Sequence, residues 1–152
     1  MKIVAHEVLC VMGVGSKEEL IDQMYTDLAS RRIKDQLSYL SVERIFKRED
    51  LGMPGALCIQ RSGGHILLLS TSFVSYKEIG ITVGHELAHA YLFKFGASIL
   101  NELGEALSES RRRIVAAQEE FIAEAFGHLW AKDRYHLFSA LKLYMFSSCT
   151  RV

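Results

Sequence analysis

The segment HELAH at residues 85–89 contains two histidines four residues apart, with a glutamate directly after the first. In an α-helix, residues four apart project from one face, so His85 and His89 can direct ring nitrogens at a single point. Two imidazoles in this arrangement suit a tetrahedral zinc ion. Glu86, about 100° round the helix, can reach a water activated by the metal and take its proton. The segment therefore predicts a zinc-dependent hydrolase; the alternative is two histidines on a helix surface without a metal.

A catalytic zinc site also needs a third protein ligand and an open position. No third histidine follows the motif at close spacing, but the segment AAQEEFIAEAFGHLW supplies carboxylates on a predicted helix. Glu120 and Glu124 share one face, and a ligand there would pair with a second acid one turn on, which accepts a hydrogen bond from a ligand histidine. Unpaired carboxylates are costly in a largely buried helix, which is indicated by the neighbouring apolar stripe of Ile114, Phe121, Ala125 and Leu129. Ordinary surface glutamates are the alternative.

HELAH followed by a glutamate-bearing helix resembles the gluzincin metallopeptidases, whose pattern is HExxH and a downstream glutamate. EFIAEAF is similar to the corresponding helix of anthrax lethal factor, and HELAHAYL with EEFIAEAFGHLW resembles plant LIM-domain peptidases; the similarity covers about residues 66–131. The resemblance implies one Zn²⁺ ion and the following roles: zinc ligands His85, His89 and Glu120, general base Glu86, and Glu124 as the acid that orients a ligand histidine. A one-residue slip in the match would make Glu119 the third ligand.

The match departs from lethal factor ahead of the ligand glutamate, where a tyrosine that can assist the oxyanion is replaced by Arg113. Arg113, Tyr135 and His136 are candidates for an oxyanion donor, and each has an ordinary surface or packing role as its alternative. The predicted function is hydrolysis of peptide bonds in a protein or peptide substrate. The competing prediction is a non-enzymatic, metal-stabilised binding or regulatory module with little turnover.

Capping residues and hydrophobic periodicity predict the elements that position these groups. Ser75 and Glu78 form a capping box that opens the HELAH helix, which runs to Phe95 and stops at Gly96. The strand at residues 65–73 is expected either to offer its edge to an extended substrate or to be a buried core strand. The other predicted elements are a strand (or helix) at 2–12, a helix at 16–30, a helix through Leu40, a strand at 42–46, a hairpin turning at Gly63–Gly64, and helices at 112–132 and 133–147.

The predicted fold is α+β and zincin-like, with a small mixed or antiparallel sheet packed on the HExxH helix and followed by C-terminal helices. The 152 residues suit a single domain, residues 1–152. Acidic and basic residues balance at 18 each, so no basic excess favours nucleic acid, and the apolar runs are too short for a membrane span. Three scattered cysteines and no signal-peptide pattern predict a cytoplasmic, reducing location. No feature indicates an oligomeric state.

Overall fold

The computed structural model describes residues 26, 30–60, 62–70, 75–102, 108–133 and 135–149. In chain order, the elements are α1 (Arg31–Tyr39), β1 (Val42–Arg48), β2 (Gly55–Ile59), β3 (His65–Ser70), α2 (Tyr76–Lys94), a 3₁₀ helix (Ile99–Glu102), α3 (Glu109–Lys132) and α4 (Leu137–Cys149). The predicted strand at 2–12 and nearly all of the predicted helix at 16–30 lie outside the described residues. The described part is α+β with a small mixed sheet, which confirms the predicted class at this level.

The three described strands form one sheet in the order β1-β3-β2. β3 pairs in parallel with β1 and antiparallel with β2, and β2 and β3 form the predicted hairpin. Gly63 in the turn has a φ of +88°, in the left-handed region that glycine adopts without a steric penalty. Because β3 is paired on both sides, the expectation that it offers a free edge to a substrate is wrong for its described residues. Residues 71–73 lie outside the described part.

The two long helices α2 and α3 pack against each other and carry every residue predicted for the zinc site. Their backbones approach closely where Gly84 meets Gly127, since a Cβ added at Gly84 would lie 2.9 Å from the Cα of Gly127. Glycine inside a helix costs roughly 1 kcal/mol relative to alanine, so a glycine at each side of a crossing indicates a need for close approach. This crossing brings the HELAH segment beside Glu120 and Glu124.

The ends of α2 and α3 follow from their capping residues. The Ser75 hydroxyl accepts a hydrogen bond from the N–H of Glu78 at 3.2 Å, which is one of the two hydrogen bonds of the predicted capping box. Gly96, with a φ of +72°, follows the last turn of α2, as predicted. The side chain of Ser108 caps α3 in the same way as Ser75 caps α2, so α3 begins before the predicted start at residue 112. Local hydrogen bonds thus determine the residue at which each of these two helices begins.

A buried polar contact joins α1 to the C-terminal half of α3. Trp130 is fully buried, and its Nε1–H donates to Oε1 of Gln36 at 2.9 Å. The side-chain amide of Gln36 donates in turn to the carbonyl oxygen of Tyr135 at 2.7 Å. The contacts of Gln36 anchor the helix that carries the predicted carboxylates.

The predicted helix through Leu40 is confirmed by α1, and the predicted strand at 42–46 is confirmed by β1, which extends to Arg48.

α2 and α3 are the longest described helices, with 19 and 24 residues, and both carry several charged side chains. Among the residues described, no helix combines the length and the apolar character needed to cross a bilayer.

Candidate metal centre

His85 and His89 lie on the face of α2 that packs toward α3. Their Nε2 atoms are 3.1 Å apart and their ring centroids 4.9 Å apart. Both rings are mostly buried, with side-chain exposures of 19% and 17%. The i,i+4 spacing in a regular helix produces this convergence.

Each of these histidines uses its other ring nitrogen to contact a glutamate of α3. Nδ1 of His85 lies 3.2 Å from Oε2 of Glu124, and Nδ1 of His89 lies 2.8 Å from Oε1 of Glu119. An ionised carboxylate only accepts hydrogen bonds, so in the neutral rings Nδ1 carries the proton and Nε2 carries a lone pair. Metal-binding histidines usually make such a contact, which fixes the tautomer. Both Nε2 lone pairs are therefore free to face a metal ion.

Glu120 brings a carboxylate to the same point. Its Oε2 lies 3.3 Å from Nε2 of His85, and its Oε1 lies 3.5 Å from Nε2 of His89. One donor atom from each of the three residues can be chosen so that all lie within 4.8 Å of one another. Atoms bound to a tetrahedral zinc ion at about 2.1 Å are separated by roughly 3.4 Å. The two Nε2 atoms and each of their nearest Glu120 oxygens are close to that spacing, and one atom from each residue lies within 4.8 Å of the others, so the three residues could hold one ion after a small adjustment of the Glu120 carboxylate.

The electronic character of the cluster also fits a cation. With both imidazoles neutral and the carboxylate of Glu120 ionised, the three donor atoms at this point present only lone pairs. Three acceptors at these separations repel one another unless a positive charge lies between them. A divalent metal ion provides that charge and accepts all three lone pairs.

Glu86 lies beside this donor set without being part of it. Its side chain is only 7% exposed, and the backbone N–H of Leu57 in β2 donates a hydrogen bond to its carboxylate. Burial raises the pKa of the Glu86 carboxyl above its usual range, and the neighbouring His85 and His89 oppose that change. A carboxylate with a raised pKa is a stronger base, which is the property that a proton-accepting group needs.

A cleft of about 560 Å³ opens over the donor set. One wall is formed by residues 53–57, which comprise the start of β2 and the loop before it, and another part of the lining is Ile99 and Leu100. β2 passes close to α2 because residue 55 is glycine; a Cβ at Gly55 would lie 2.6 Å from Cγ2 of Thr82. The cleft is therefore bounded by a strand, the two helices α2 and α3, and the 3₁₀ helix that follows α2.

The free side of β2 faces this cleft. The N–H of Ser70 in β3 donates to the carbonyl oxygen of Pro54 at 2.9 Å, so the backbone of Pro54 faces β3. Backbone groups alternate in direction along an antiparallel pair, so those of Gly55 and Leu57 face away from β3. The N–H of Leu57 accordingly reaches Glu86. No other described strand pairs with this side of β2. The unpaired strand edge beside the cleft therefore belongs to β2 and not, as expected, to β3.

Glu119 has a position that the sequence reasoning missed. It was the alternative third ligand, yet its carboxylate is only 5% exposed and contacts Nδ1 of His89 rather than Nε2. It also accepts hydrogen bonds from the hydroxyl of Ser98 at 2.8 Å and from the N–H of Ile99 at 2.7 Å. The sequence signal for this separate position was the pair of adjacent glutamates. Adjacent residues on a helix project about 100° apart, so Glu119 and Glu120 face different parts of the structure.

The buried face of α3 differs from the face expected from the apolar residues near Glu120. Ile114 and Phe121 are 59% and 69% exposed, and the side chains of Glu120 and Glu124 are 64% and 58% exposed. The buried residues of α3 are Glu119, Ala123, Phe126, Gly127 and Trp130. The expectation of a largely buried helix around Glu120 is therefore wrong, because α3 packs on α2 through a different face, the one on which Gly127 and Trp130 meet Gly84.

The three candidate oxyanion donors do not line the cleft. Arg113 is 79% exposed, and the ring of Tyr135 packs on that of Trp130 with centroids 4.5 Å apart. Nδ1 of His136 accepts a hydrogen bond from a backbone N–H in the first turn of α4. Each of these residues has the packing or surface role that was its alternative.

Comparison of the chain with protein-family models, with curated proteins and with solved structures found no match. In the site itself, two imidazoles, one exposed carboxylate and one buried carboxylate meet beside the edge of a strand.

Proposed function

We propose that the chain is a zinc-dependent metallopeptidase with a zincin-like fold and a gluzincin-type donor set. The observation that carries this proposal is the convergence of three lone-pair donors, from His85, His89 and Glu120, beside the buried carboxylate of Glu86. A structural metal site has four protein ligands, whereas a catalytic site has three and an open position. The described cluster has three, and a cleft leads to it.

In this proposal, His85, His89 and Glu120 would hold one Zn²⁺ ion. Zinc, when bound, polarises a carbonyl group as a Lewis acid and lowers the pKa of a water to about 7. Glu119 and Glu124 keep the imidazoles in the tautomer whose Nε2 atoms are available.

Glu86 acts as the general base. Its carboxylate takes the proton of the water that attacks the scissile carbonyl and later passes that proton to the leaving amine. The position of Glu86 supports this role, because its buried carboxylate lines the cleft beside the donor set, where the attacking water would lie. The hydrogen bond from the N–H of Leu57 orients the carboxylate toward the cleft.

The substrate class that suits this cleft is an extended protein or peptide segment. The N–H and carbonyl groups of Gly55 and the carbonyl group of Leu57 face away from β3, so an extended chain can pair with them as a further strand on β2, while the N–H of Leu57 remains bonded to Glu86. Added-strand pairing recognises the main chain of the substrate and places a backbone carbonyl near the donor set. A small non-peptide ester or amide would not use this edge.

The decisive test is Glu86→Gln, which keeps the shape of the side chain but removes the base. We expect kcat/KM for peptide cleavage to fall by about 10²- to 10⁴-fold while the zinc content is unchanged. Activity is measured on a peptide library with zinc-loaded protein, with and without a chelator, and zinc by elemental analysis. The matched control is Glu49→Gln, an exposed glutamate in the turn after β1, which should cleave like the wild type.

A second variant separates loss of the base from loss of the metal. His89→Ala removes one donor atom and should lose zinc and activity together, whereas Glu86→Gln should lose activity alone. Wild-type activity in Glu86→Gln, or zinc binding that survives in His89→Ala at full affinity, would contradict the proposal.

The positions of the candidate oxyanion donors favour one alternative function. Because Arg113, Tyr135 and His136 do not line the cleft, a metal-stabilised binding or regulatory module with little turnover is the second candidate. Under this alternative, zinc raises the free energy of unfolding and peptides bind, but no peptide in the library is cleaved. The chelator-sensitive cleavage assay therefore distinguishes the two functions.

A further inference from the structure

One face of α3 carries apolar side chains that stay open to solvent. Ile114 and Phe121 are 59% and 69% exposed, and they line a shallow groove with Ala117, Gln118 and Ile122. No other described residue contributes to that groove. Residues seven apart on a helix project within about 20° of each other, so Ile114 and Phe121 belong to one stripe. Single apolar residues are normal on a surface, but a continuous stripe is typical of a contact site.

Charged side chains border one side of this stripe. Arg113 lies at its N-terminal end, and Glu120 and Glu124 lie beside its C-terminal half; the three are 79%, 64% and 58% exposed. Their spacings of seven and eleven residues along α3 place them on the same side of the stripe. Within one copy, Arg113 contacts Glu109 at 3.0 Å, an exposed pair that contributes little free energy and can be exchanged. This side of the stripe thus runs from an arginine to two glutamates.

This order of charges is self-complementary. When two copies of α3 lie antiparallel, Arg113 of each copy faces the glutamates of the other. In a parallel pair, like charges lie side by side and repel one another. A closed two-fold pair uses the same face on both copies, so each favourable contact forms twice. The face therefore suits a second copy of this chain better than a partner of one uniform charge.

The apolar residues require the same register as the charges. If Ile114 of each copy packs on Phe121 of the other, the two-fold axis passes between residues 117 and 118. In that register, Arg113 lies level with the point midway between the two glutamates of the other copy, which are one helical turn apart. Ala117 beside the axis is small, so the helices can approach closely there. One register thus serves both kinds of contact.

We infer that this face of α3 joins two copies of the chain in an antiparallel pair. The contact spans about four helical turns and is smaller than the roughly 1,200 Å² of a standard protein interface, so the dimer is weak and depends on concentration. The pair brings Arg113 of the second copy to Glu124, the exposed carboxylate that contacts Nδ1 of His85. The second copy therefore contributes a charged residue next to the candidate metal centre. The inference is independent of the proposed peptidase function.

Sedimentation velocity of the full chain tests this association. We expect the wild type to change from monomer to dimer between about 1 and 500 µM. Phe121→Asp should raise the dissociation constant by at least about 100-fold, because it places a charge in the apolar contact twice. The matched control is Phe138→Asp, which changes a phenylalanine of α4 that is 61% exposed and should associate like the wild type.

Charge reversal tests the pairing of arginine with glutamate. Arg113→Glu should weaken the dimer by about 10-fold, since each copy then meets two glutamates with a third. Arg112→Glu makes the same change in charge at the next residue, which projects about 100° away from Arg113, and should change the dissociation constant by less than about 3-fold.

Crosslinking tests the antiparallel orientation. A short thiol crosslinker should join two copies through Ala117→Cys, near the axis, but not through His128→Cys, because an antiparallel pair separates the two copies of residue 128 by about 30 Å. A parallel pair would allow both crosslinks. The wild type gives the background from the native thiols.

A wild type that stays monomeric, or a dimer that survives Phe121→Asp, contradicts the inference, and so does a crosslink through His128→Cys. A monomer that Phe121→Ala destabilises would mean that the chain itself covers this face, which also overturns the inference. Circular dichroism shows that each variant is folded, and Phe121→Ala replaces Phe121→Asp in the association test if the latter does not fold.

Discussion

The two histidines of the site have the same chemistry but are held in different surroundings. Nδ1 of His89 contacts Glu119, whose side chain is 5% exposed and accepts two further hydrogen bonds. Nδ1 of His85 contacts Glu124, whose side chain is 58% exposed and also contacts His128 at 3.1 Å. The first contact is part of the folded core, and the second lies at the solvent surface.

A carboxylate that contacts a histidine can stabilise the fold, orient the imidazole, or do both. A buried acceptor with several buried donors contributes to the free energy of folding, because each donor would otherwise lose its partner. An exposed ion pair contributes little to stability, since water and salt compete with it. Both contacts orient an imidazole. We therefore expect substitutions on the Glu119 side to change stability and zinc affinity, and those on the Glu124 side to change zinc affinity alone.

The largest effect is expected for Glu119→Ala. The change leaves the Ser98 hydroxyl, the Ile99 N–H and Nδ1 of His89 without their acceptor, so the free energy of unfolding should fall by about 3 kcal/mol. Loss of the orienting contact should weaken zinc binding by about 10- to 100-fold. Urea unfolding of the metal-free protein measures the first effect, and competition with a chelator the second.

Glu119→Gln is the matched control for this prediction. It keeps the size of the side chain and one acceptor oxygen but replaces the other oxygen with an amide that donates. The loss of stability should be smaller than in Glu119→Ala, because one of the donors keeps its partner. If Glu119→Ala unfolds at the same urea concentration as the wild type, the assignment of Glu119 to the core is wrong.

A smaller effect is expected for Glu124→Ala. The free energy of unfolding of the metal-free protein should change by less than about 0.5 kcal/mol, because the side chain is exposed. Zinc affinity should still fall by about 10-fold, since His85 loses the acceptor that fixes its tautomer. The same two measurements apply. A loss of stability comparable to that of Glu119→Ala would remove the distinction between the two sides.

The features that could be predicted from the sequence are those set by nearby residues. The spacing of His85 and His89 predicts their convergence, and Ser75 with Glu78 predicts the start of α2; both follow from the geometry of a single helix. The hairpin of β2 and β3 was predicted from its two runs of apolar residues and the glycines between them. Each of these depends on fewer than about 20 consecutive residues, as local rules require.

The features that could not be predicted depend on which elements meet in space. β3 is central because β1 pairs with it in parallel; its apolar run left an edge strand and a buried core strand both open, and no local rule identifies β1 as the partner. The buried face of α3 is set by the crossing at Gly84 and Gly127. Phe121 therefore lies on an exposed face, although its apolar side chain predicted burial. Glu119 meets Ser98 from a separate segment, and its role follows only from that contact.

The smallest effect is expected for His128→Ala, which isolates the outermost contact of the exposed side. His128 is 56% exposed, and its Nε2 lies 3.1 Å from Oε1 of Glu124, one helical turn away. An exposed i,i+4 pair contributes roughly 0.3 to 0.5 kcal/mol, so the free energy of unfolding should change by no more than this. Zinc affinity should change by less than about 3-fold, because Glu124 keeps its contact with His85 when its other oxygen is freed. A double-mutant cycle with Glu124→Ala measures the coupling directly. A coupling energy above about 1 kcal/mol would mean that the exposed side is a connected network like that around Glu119, and the contrast between the two histidines would not hold.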